Sequence, residues 1–317
     1  MIHDPAMEEP RVAIVRSYRP SHGNLNARAV GARRVHLRRR MTVEEAFRAT
    51  VLECLAQVGG NAPAIRARDP RGVHQIRVGL RRLQMALASF GPYAQTPALK
   101  ALGKRGRTIA NAFGPARDLD VFADELLEPV MRKFADHESF VALGLALRHA
   151  RGEAWDDALS EIMDPDFGAF LNDVAAAAES VPLDDTRIGK VSRRALKEHL
   201  KRATKRGKRV SNQFNERTHR LRIALKKLRY AAEFFAPLYP KRKAGRYIGR
   251  LKTLLDRFGE ANDVHEIGGM LERLGDGPEL RFAAGTVAGW HGAREKRLTK
   301  KALKSWRAFK KVKPFWV

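Results

Sequence analysis

Two stretches of this chain, separated by a constant 145 residues, carry the same residues in the same places. His74 pairs with His219, Arg77 with Arg222, Leu80 with Leu225, Leu83 with Leu228, Phe90 with Phe235 and Pro92 with Pro237. Further on, Arg105 pairs with Arg250, Thr108 with Thr253, Phe113 with Phe258, Gly114 with Gly259 and Asp118 with Asp263. Register kept without a gap through a helix, a turn, a second helix and the start of a third marks a repeated supersecondary unit. The pattern predicts two antiparallel helical bundles from an internal duplication, each of four to five helices, related by a pseudo-twofold axis. The repeats are expected at residues 42–181 and 182–317, with the boundary near Val181 to Arg187.

From Met41 onward the apolar residues recur with helical period almost everywhere, and long alternating strand patterns are absent. Breaks are expected at Gly59-Gly60, Asp69-Pro70, Gly91-Pro92, Gly114-Pro115, Asp164-Pro165, Pro182, Pro237, Pro240, Gly259 and Gly275 to Pro278. The fold class is therefore all-α, with roughly ten helices. Residues 1–41 are aperiodic, with Pro5, Pro10 and Pro20 and an arginine cluster from Arg33 to Arg40, and read as an extended or disordered basic arm.

The repeated helix separates into faces at about 100° per residue. Ile76, Leu80, Leu83, Leu87 and Phe90 form one apolar seam, and Leu221, Leu225, Leu228, Ala232 and Phe235 form its counterpart; both are core. On the flank of the first seam stand His74, Arg77 and Arg81, and on the second His219, Arg222, Lys226 and Arg229. Each set is a cationic stripe roughly 10 to 15 Å long. Asp69-Pro70 reads as N-cap and first helical residue, placing His74 where the helix dipole also favours an anion.

The next helix of each repeat adds Arg105 in the first copy and Arg246, Arg250 and Arg257 in the second, each beside a seam. Arg107 and Lys252 fall on the far side and are ordinary solvated charges. The helix from about Thr186 adds Arg193, Lys197 and Lys201 at i, i+4, i+8, with Arg48 matching Arg193 at the same offset. Asp118 and Asp263 follow the paired glycines; they fit helix caps, Asp263 with Glu266 as a capping box, or carboxylates that orient a groove arginine.

Sixty-one Lys and Arg against 35 Asp and Glu give a formal net charge of +26, which calls for a polyanionic partner without choosing among nucleic acid, phosphate polymer and anionic membrane. Cys54 is the only cysteine and lies in the periodic run Ala46, Phe47, Val51, Leu55, Val58, which excludes a disulfide framework or cysteine-rich zinc site and reads as a core thiol. No segment approaches the ~18 apolar residues of a membrane span, and a cytoplasmic location is expected.

Two copies of His-x-x-Arg-x-x-x-basic-basic-Leu, each followed by a Gly-x-x-x-Asp turn at Gly114 to Asp118 and Gly259 to Asp263, resemble the CHAD domain, a histidine-led α-helical family. The resemblance covers about residues 42–317, including an aromatic ending at Trp306 and Phe315-Trp316. It implies two helical bundles around a basic central groove that binds inorganic polyphosphate without turnover, often at polyphosphate granules. By motif match the anion-binding positions are His74, Arg77, Arg81 and Arg82 with His219, Arg222, Lys226, Lys227 and Arg229, plus Arg105 and Arg250. The copies differ where Gln84 stands for Arg229 and Asn262 for Arg117, so the halves need not bind equally.

No catalytic residue, cofactor or metal is expected. The competing readings are a nucleic-acid-binding or nucleoid-associated basic protein and, behind it, a metal-dependent phosphohydrolase. The first lacks a helix-turn-helix, a zinc finger or aromatics interleaved with the basic stripe. The second lacks His-Glu-x-x-His, a carboxylate-rich metal motif and a phosphate-binding Gly-Lys-Ser/Thr loop.

Overall fold

The structure, a computed structural model, describes residues 28–93, 97–134, 137–182, 185–210 and 214–317. The regular secondary structure of these residues is helical, with no β-strand among them. In chain order the helices are α1 (Val43–Gly59), α2 (Ala62–Arg66), α3 (Pro70–Phe90), α4 (Ala98–Ala112), α5 (Gly114–Val121) and, after a π-helical segment at Phe122–Leu127, α6 (Glu128–Met131). There follow α7 (Glu138–Met163), α8 (Pro165–Ser180), α9 (Ile188–Gly207), α10 (Glu216–Phe235), α11 (Lys241–His265), α12 (Ile267–Leu274) and α13 (Arg281–Phe309).

The expected punctuation is visible at most boundaries. Asp69 caps α3 by accepting from the Arg71 amide with Pro70 at the first helical position, and Asp164 and Pro165 do the same for α8. Thr42 and Glu45 form a reciprocal capping box on α1. Gly259 departs from the expectation: it lies inside the continuous α11 rather than ending a helix. Leu254, Phe258, Ala261 and Val264 keep one face buried across it, and that burial outweighs the roughly 1 kcal/mol an interior glycine costs.

The chain forms two compact units, and both take chain from either side of residue 181. Unit 1 contains the described residues up to Arg117 with Ala154–Ala195 and Glu233–Leu238; unit 2 contains Asp118–Glu153, Leu196–Ala232 and Tyr239–Val317.

In unit 1, α1 packs on α3 and α8, and α4 on α3 and α8. The predicted seam is core: Ile76, Leu80 and Phe90 are fully buried, and Phe90 contacts both Phe47 and Phe235 with ring centroids 5.5 and 6.1 Å apart. Phe90 and Phe235 are one of the pairs set by the 145-residue offset. A second such pair, Thr42 and Arg187, meets in an isolated antiparallel bridge. Its hydrogen bonds are reciprocal, from Val43 N to Thr186 O at 3.1 Å and from Ile188 N to Met41 O at 3.0 Å.

The segment at residues 28–41, expected to be part of a loose arm, is tied into unit 1. Val35 and Leu37 are buried, as two side chains on one side of an extended strand of chain can be. The Asn61 side chain bonds both the N–H and the carbonyl of Val30, at 2.9 and 2.8 Å, and Arg39 Nε donates to Leu238 O at 2.8 Å. Residues 1–27 of the expected arm lie outside the described residues. Cys54 is fully buried in unit 1, and burial pushes its thiol up to about 12, in keeping with a core thiol.

In unit 2, α11 packs along α13. Tyr247 of α11 sits against Phe309, Phe315 and Trp316, with ring centroids 5.1 to 5.6 Å apart, so the aromatic C-terminal segment closes over this helix pair.

Candidate anion-binding site

The second stripe rides on α10 in unit 2. Asn215 caps this helix, its Oδ1 accepting from the amides of Arg217 and Thr218 at 3.0 and 3.2 Å. Leu221, Leu225 and Leu228 are fully buried, and that anchoring turns His219, Arg222, Lys226 and Arg229 onto a half-buried flank. Along ten residues of helix this row spans about 15 Å.

The last turn of α11 holds the row in place. His219 Nδ1 is 3.2 Å from Asn262 Oδ1, and Asn262 Nδ2 donates to Asp263 Oδ1 at 3.4 Å. Burial lifts the Asp263 carboxyl above the usual carboxylate range. Arg222, the bond from Asn262 and Lys226 pull it back down, while Glu125 pushes it up. Asp263 is therefore an electrostatic partner of the stripe cations. It does not cap a helix, because it lies within α11 and Glu266, not Asp263, precedes α12. Asn262, where the second copy departs from Arg117, is the residue that meets His219.

The other second-copy residues divide. Arg246 and Arg250 are exposed on α11. Arg257 is half-buried and donates through Nη1 to Ser305 Oγ on α13, and the Arg229 guanidinium lies 4.8 Å from the centroid of the Tyr230 ring. Lys227 leaves the stripe: it stands on the opposite flank of the Leu221 seam, where it lines a cavity with residues of α9.

In unit 1 the first stripe is sparser. His74 is exposed on α3, and Arg77 and Arg81 are half-buried. Arg77 leans against the start of α5, so closely that a Cβ built on Gly114 would lie 2.9 Å from its Nη1. The glycine of the Gly-x-x-x-Asp turn thus makes room for the motif arginine. Asp118, expected as a cap, is an exposed residue within α5. Gln84 donates to Gly106 O at 3.1 Å, a backbone contact between α3 and α4.

Two of the predicted contacts have partners within the protein. Arg82 is only 4% exposed: its Nη1 donates to Gln57 Oε1 at 2.7 Å, its Nη2 to Arg33 O at 3.2 Å, and its guanidinium faces the Phe234 ring at 5.4 Å. It is a core cation tying residues 28–41 to α3, out of reach of a polymer. Arg105 clamps α4 to α8 through Asp166 and Asp173, both at 2.6 Å, over the Phe170 ring. Its charge is met by two carboxylates, whereas its offset partner Arg250 stands in solvent. Arg48, Arg193 and Lys197 are exposed.

Sequence reasoning missed Asn262 and the cationic wall of the α9–α10 cavity. The signal for the wall was present, since His199, Arg202, Lys205 and Arg206 recur at three- and four-residue spacing on one side of α9, with Arg209 continuing the spacing into the turn that follows. Among the described residues no group of three or more His, Cys, Asp or Glu is placed to hold a metal ion, and no helix is long and apolar enough to cross a membrane.

Comparison with known proteins bears on the same residues. No curated protein matches the chain. The crystal structure of the CHAD domain from the plant Ricinus communis superposes with a TM-score of 0.72 at 26% identity, covering 90% of this chain and 97% of that one. PptA from Streptomyces chartreusis matches with a TM-score of 0.64 at 16% identity over 84% of this chain and 97% of that one, a likeness of fold. The family model for the CHAD domain matches residues 49–272, which takes in both histidine-led helices and both Gly-x-x-x-Asp segments. The all-α architecture, the doubled motif and this match over most of its length make the chain a member of the CHAD domain family.

Proposed function

We propose that the protein binds inorganic polyphosphate without turning it over, through the two cationic stripes, and that this binding takes it to polyphosphate granules in the cytoplasm. The observation that carries the reading is the row His219, Arg222, Lys226 and Arg229, fixed on one flank of α10 by Asn262 and Asp263. Asp263, half-buried, interacts electrostatically with Arg222 and Lys226 of this row, which carries three permanent cations beside His219. His74, Arg77 and Arg81 supply a weaker equivalent on α3.

The ligand chemistry follows from the side chains. Arginine offers forked donors that match phosphate oxygens, and lysine a compact point charge. A flexible polymer with one charge per repeat can meet such a row without bases to read. Affinity should fall with salt, because each phosphate neutralised releases condensed counterions. The net charge of +26 draws any polyanion, so nucleic acid is the competitor to be measured.

The test titrates the protein with long-chain polyphosphate and with duplex DNA of equal charge at moderate salt. Tighter polyphosphate binding is expected, with a loss of at least tenfold in the double variant Arg77→Gln/Arg222→Gln and a change within about threefold in Arg107→Gln/Lys252→Gln. Tighter DNA binding, or equal losses in the two double variants, would reject the proposal. Phosphate release from polyphosphate in the presence of Mg²⁺ or Mn²⁺ would reject its non-catalytic part.

A further inference from the structure

A cavity of about 620 Å³ opens between α9 and α10 in unit 2. Arg202, Lys205, Arg206 and Arg209 enter it from α9 and the turn that follows, and Arg220 and Lys227 from α10. On α10 the cavity face, with Arg220, Ile223, Ala224 and Lys227, is turned by about 130° from the His219 stripe and by about 110° from the leucine seam. It is a third face of the helix. On α9 the cavity residues point roughly away from Arg193 and Lys197.

Among the described residues the lining holds six permanent cations and no carboxylate. Arg220 is paired with Glu216 one turn earlier, its Nε donating to Oε1 at 2.6 Å. Among the described residues, none of the other five has a carboxylate within salt-bridge reach. Like charges crowded around one concavity repel one another, and an anion that fills it removes the repulsion. The field inside is registered by His199, the remaining polar residue of the wall: burial first, then Arg202 and Lys227, pull its pKa down to about 4 against the opposing Glu198.

We propose that this cavity is a second anion-binding site, separate from the His219 stripe, and that it takes a compact run of linked phosphates. Its volume falls in the range of about 300–1,000 Å³ found for small-molecule sites, which is too small to enclose a nucleic-acid duplex. Among the described residues Ile223 and Ala224 are its only aliphatic walls, so it offers no greasy floor for a lipid chain, and His199 is the one ring in its lining. Four arginines supply the forked donors that phosphate oxygens accept. Four of the cations fall within eight residues at the end of α9 and in the turn that follows, roughly 10 Å at helical rise, so the ligand's charges must be closely spaced, as in an oligophosphate. Such a ligand is either a free short chain or a segment of a longer polyphosphate.

The experiment uses the full chain and three probes, orthophosphate, tripolyphosphate and long-chain polyphosphate, measured by calorimetry at moderate salt. The cavity variant is Lys205→Gln/Arg206→Gln/Arg209→Gln, whose side chains are all exposed, and the stripe variant is Arg222→Gln/Lys226→Gln. Tripolyphosphate should bind the unaltered protein more tightly than orthophosphate, weaken at least tenfold in the cavity variant, and change by less than about threefold in the stripe variant. A parallel loss of long-chain affinity in the cavity variant identifies the occupant as a polymer segment; an unchanged long-chain affinity identifies a free short chain. Tripolyphosphate affinity that survives the cavity variant, or falls equally in the stripe variant, overturns the proposal. Failure of long-chain polyphosphate to bind the unaltered protein would overturn the preceding reading and leave the tripolyphosphate result to decide this one. Thermal unfolding of each variant with and without tripolyphosphate gives a second readout, since a ligand bound only to the native state raises the midpoint.

Discussion

Replacing Arg82 by methionine separates a core cation from a ligand contact. Methionine keeps most of the aliphatic stem, so little cavity is opened, and the change removes the guanidinium alone. That group donates to Gln57 Oε1 at 2.7 Å and to Arg33 O at 3.2 Å and faces Phe234 at 5.4 Å. Hydrogen bonds from a charged donor contribute about 1.5–3 kcal/mol each, and a desolvated cation–π contact about 0.5–2 kcal/mol. Leaving the Gln57 oxygen short of its donor adds about 1–3 kcal/mol. These terms overlap, and a net loss of about 3–5 kcal/mol is the expectation, a large share of the ~5–15 kcal/mol of a typical fold. At about 2–4 °C per kcal/mol the midpoint of thermal unfolding should fall on the order of 10 °C, followed by circular dichroism at 222 nm. Polyphosphate affinity, measured well below that midpoint, should stay within about twofold. Arg81→Met, on the stripe one residue earlier, should show the reverse, a midpoint within about 2 °C and a weaker affinity. An unchanged midpoint in Arg82→Met together with a tenfold loss of affinity would refute the assignment of Arg82 to the core.

Gly114→Ala should hold or slightly raise stability, since alanine is the better helix former by about 1 kcal/mol, while weakening polyphosphate binding because the new Cβ displaces the Arg77 guanidinium; unaltered binding by calorimetry would show that Arg77 is not needed where it stands. Arg105→Gln should cost about 1–2 kcal/mol in urea unfolding through the lost pairs with Asp166 and Asp173 and leave the salt slope of binding unchanged, whereas Arg250→Gln should leave the urea midpoint in place and lower that slope by about 0.7. Burial holds the Asp263 carboxyl above its ordinary 3.8, so folding favours its protonated form. The stability it contributes is complete below about pH 4 and is lost as pH rises through the raised value. Asp263→Asn should therefore be neutral or stabilising at pH 7.5 and lose that advantage near pH 3.5; a variant less stable at pH 7.5 would mean that the attraction of Arg222 and Lys226 outweighs burial.

The division of the fold into core and surface was legible because it depends on spacing within one helix. Leu80, Leu83 and Phe90 with Leu225, Leu228 and Phe235 follow the 3.6-residue period, and all are buried. The same period placed His219, Arg222 and Lys226 together, and the structure brings them to one flank beside Asp263. What was not legible depends on what lies across from a helix. Nothing local told that Arg105 would find two carboxylates on α8, or that Asn262 would reach His219 from the end of α11.

The basic doublet of the motif shows the limit most clearly. Arg81-Arg82 and Lys226-Lys227 read as one cationic unit, yet neighbours on a helix are turned by about 100°, so the two members of each doublet fall on opposite flanks of the seam. The first members, Arg81 and Lys226, keep to the stripe. The second members, Arg82 and Lys227, face whatever packs on the far flank. In unit 1 that flank is covered by residues 28–41 and Phe234, and Arg82 becomes a buried donor. In unit 2 it opens toward α9, and Lys227 becomes one wall of a cationic cavity. One position of one motif thus yields a structural cation in the first copy and a proposed ligand contact in the second. The choice is made by the opposing surface, a property of tertiary packing that no periodicity within the helix encodes.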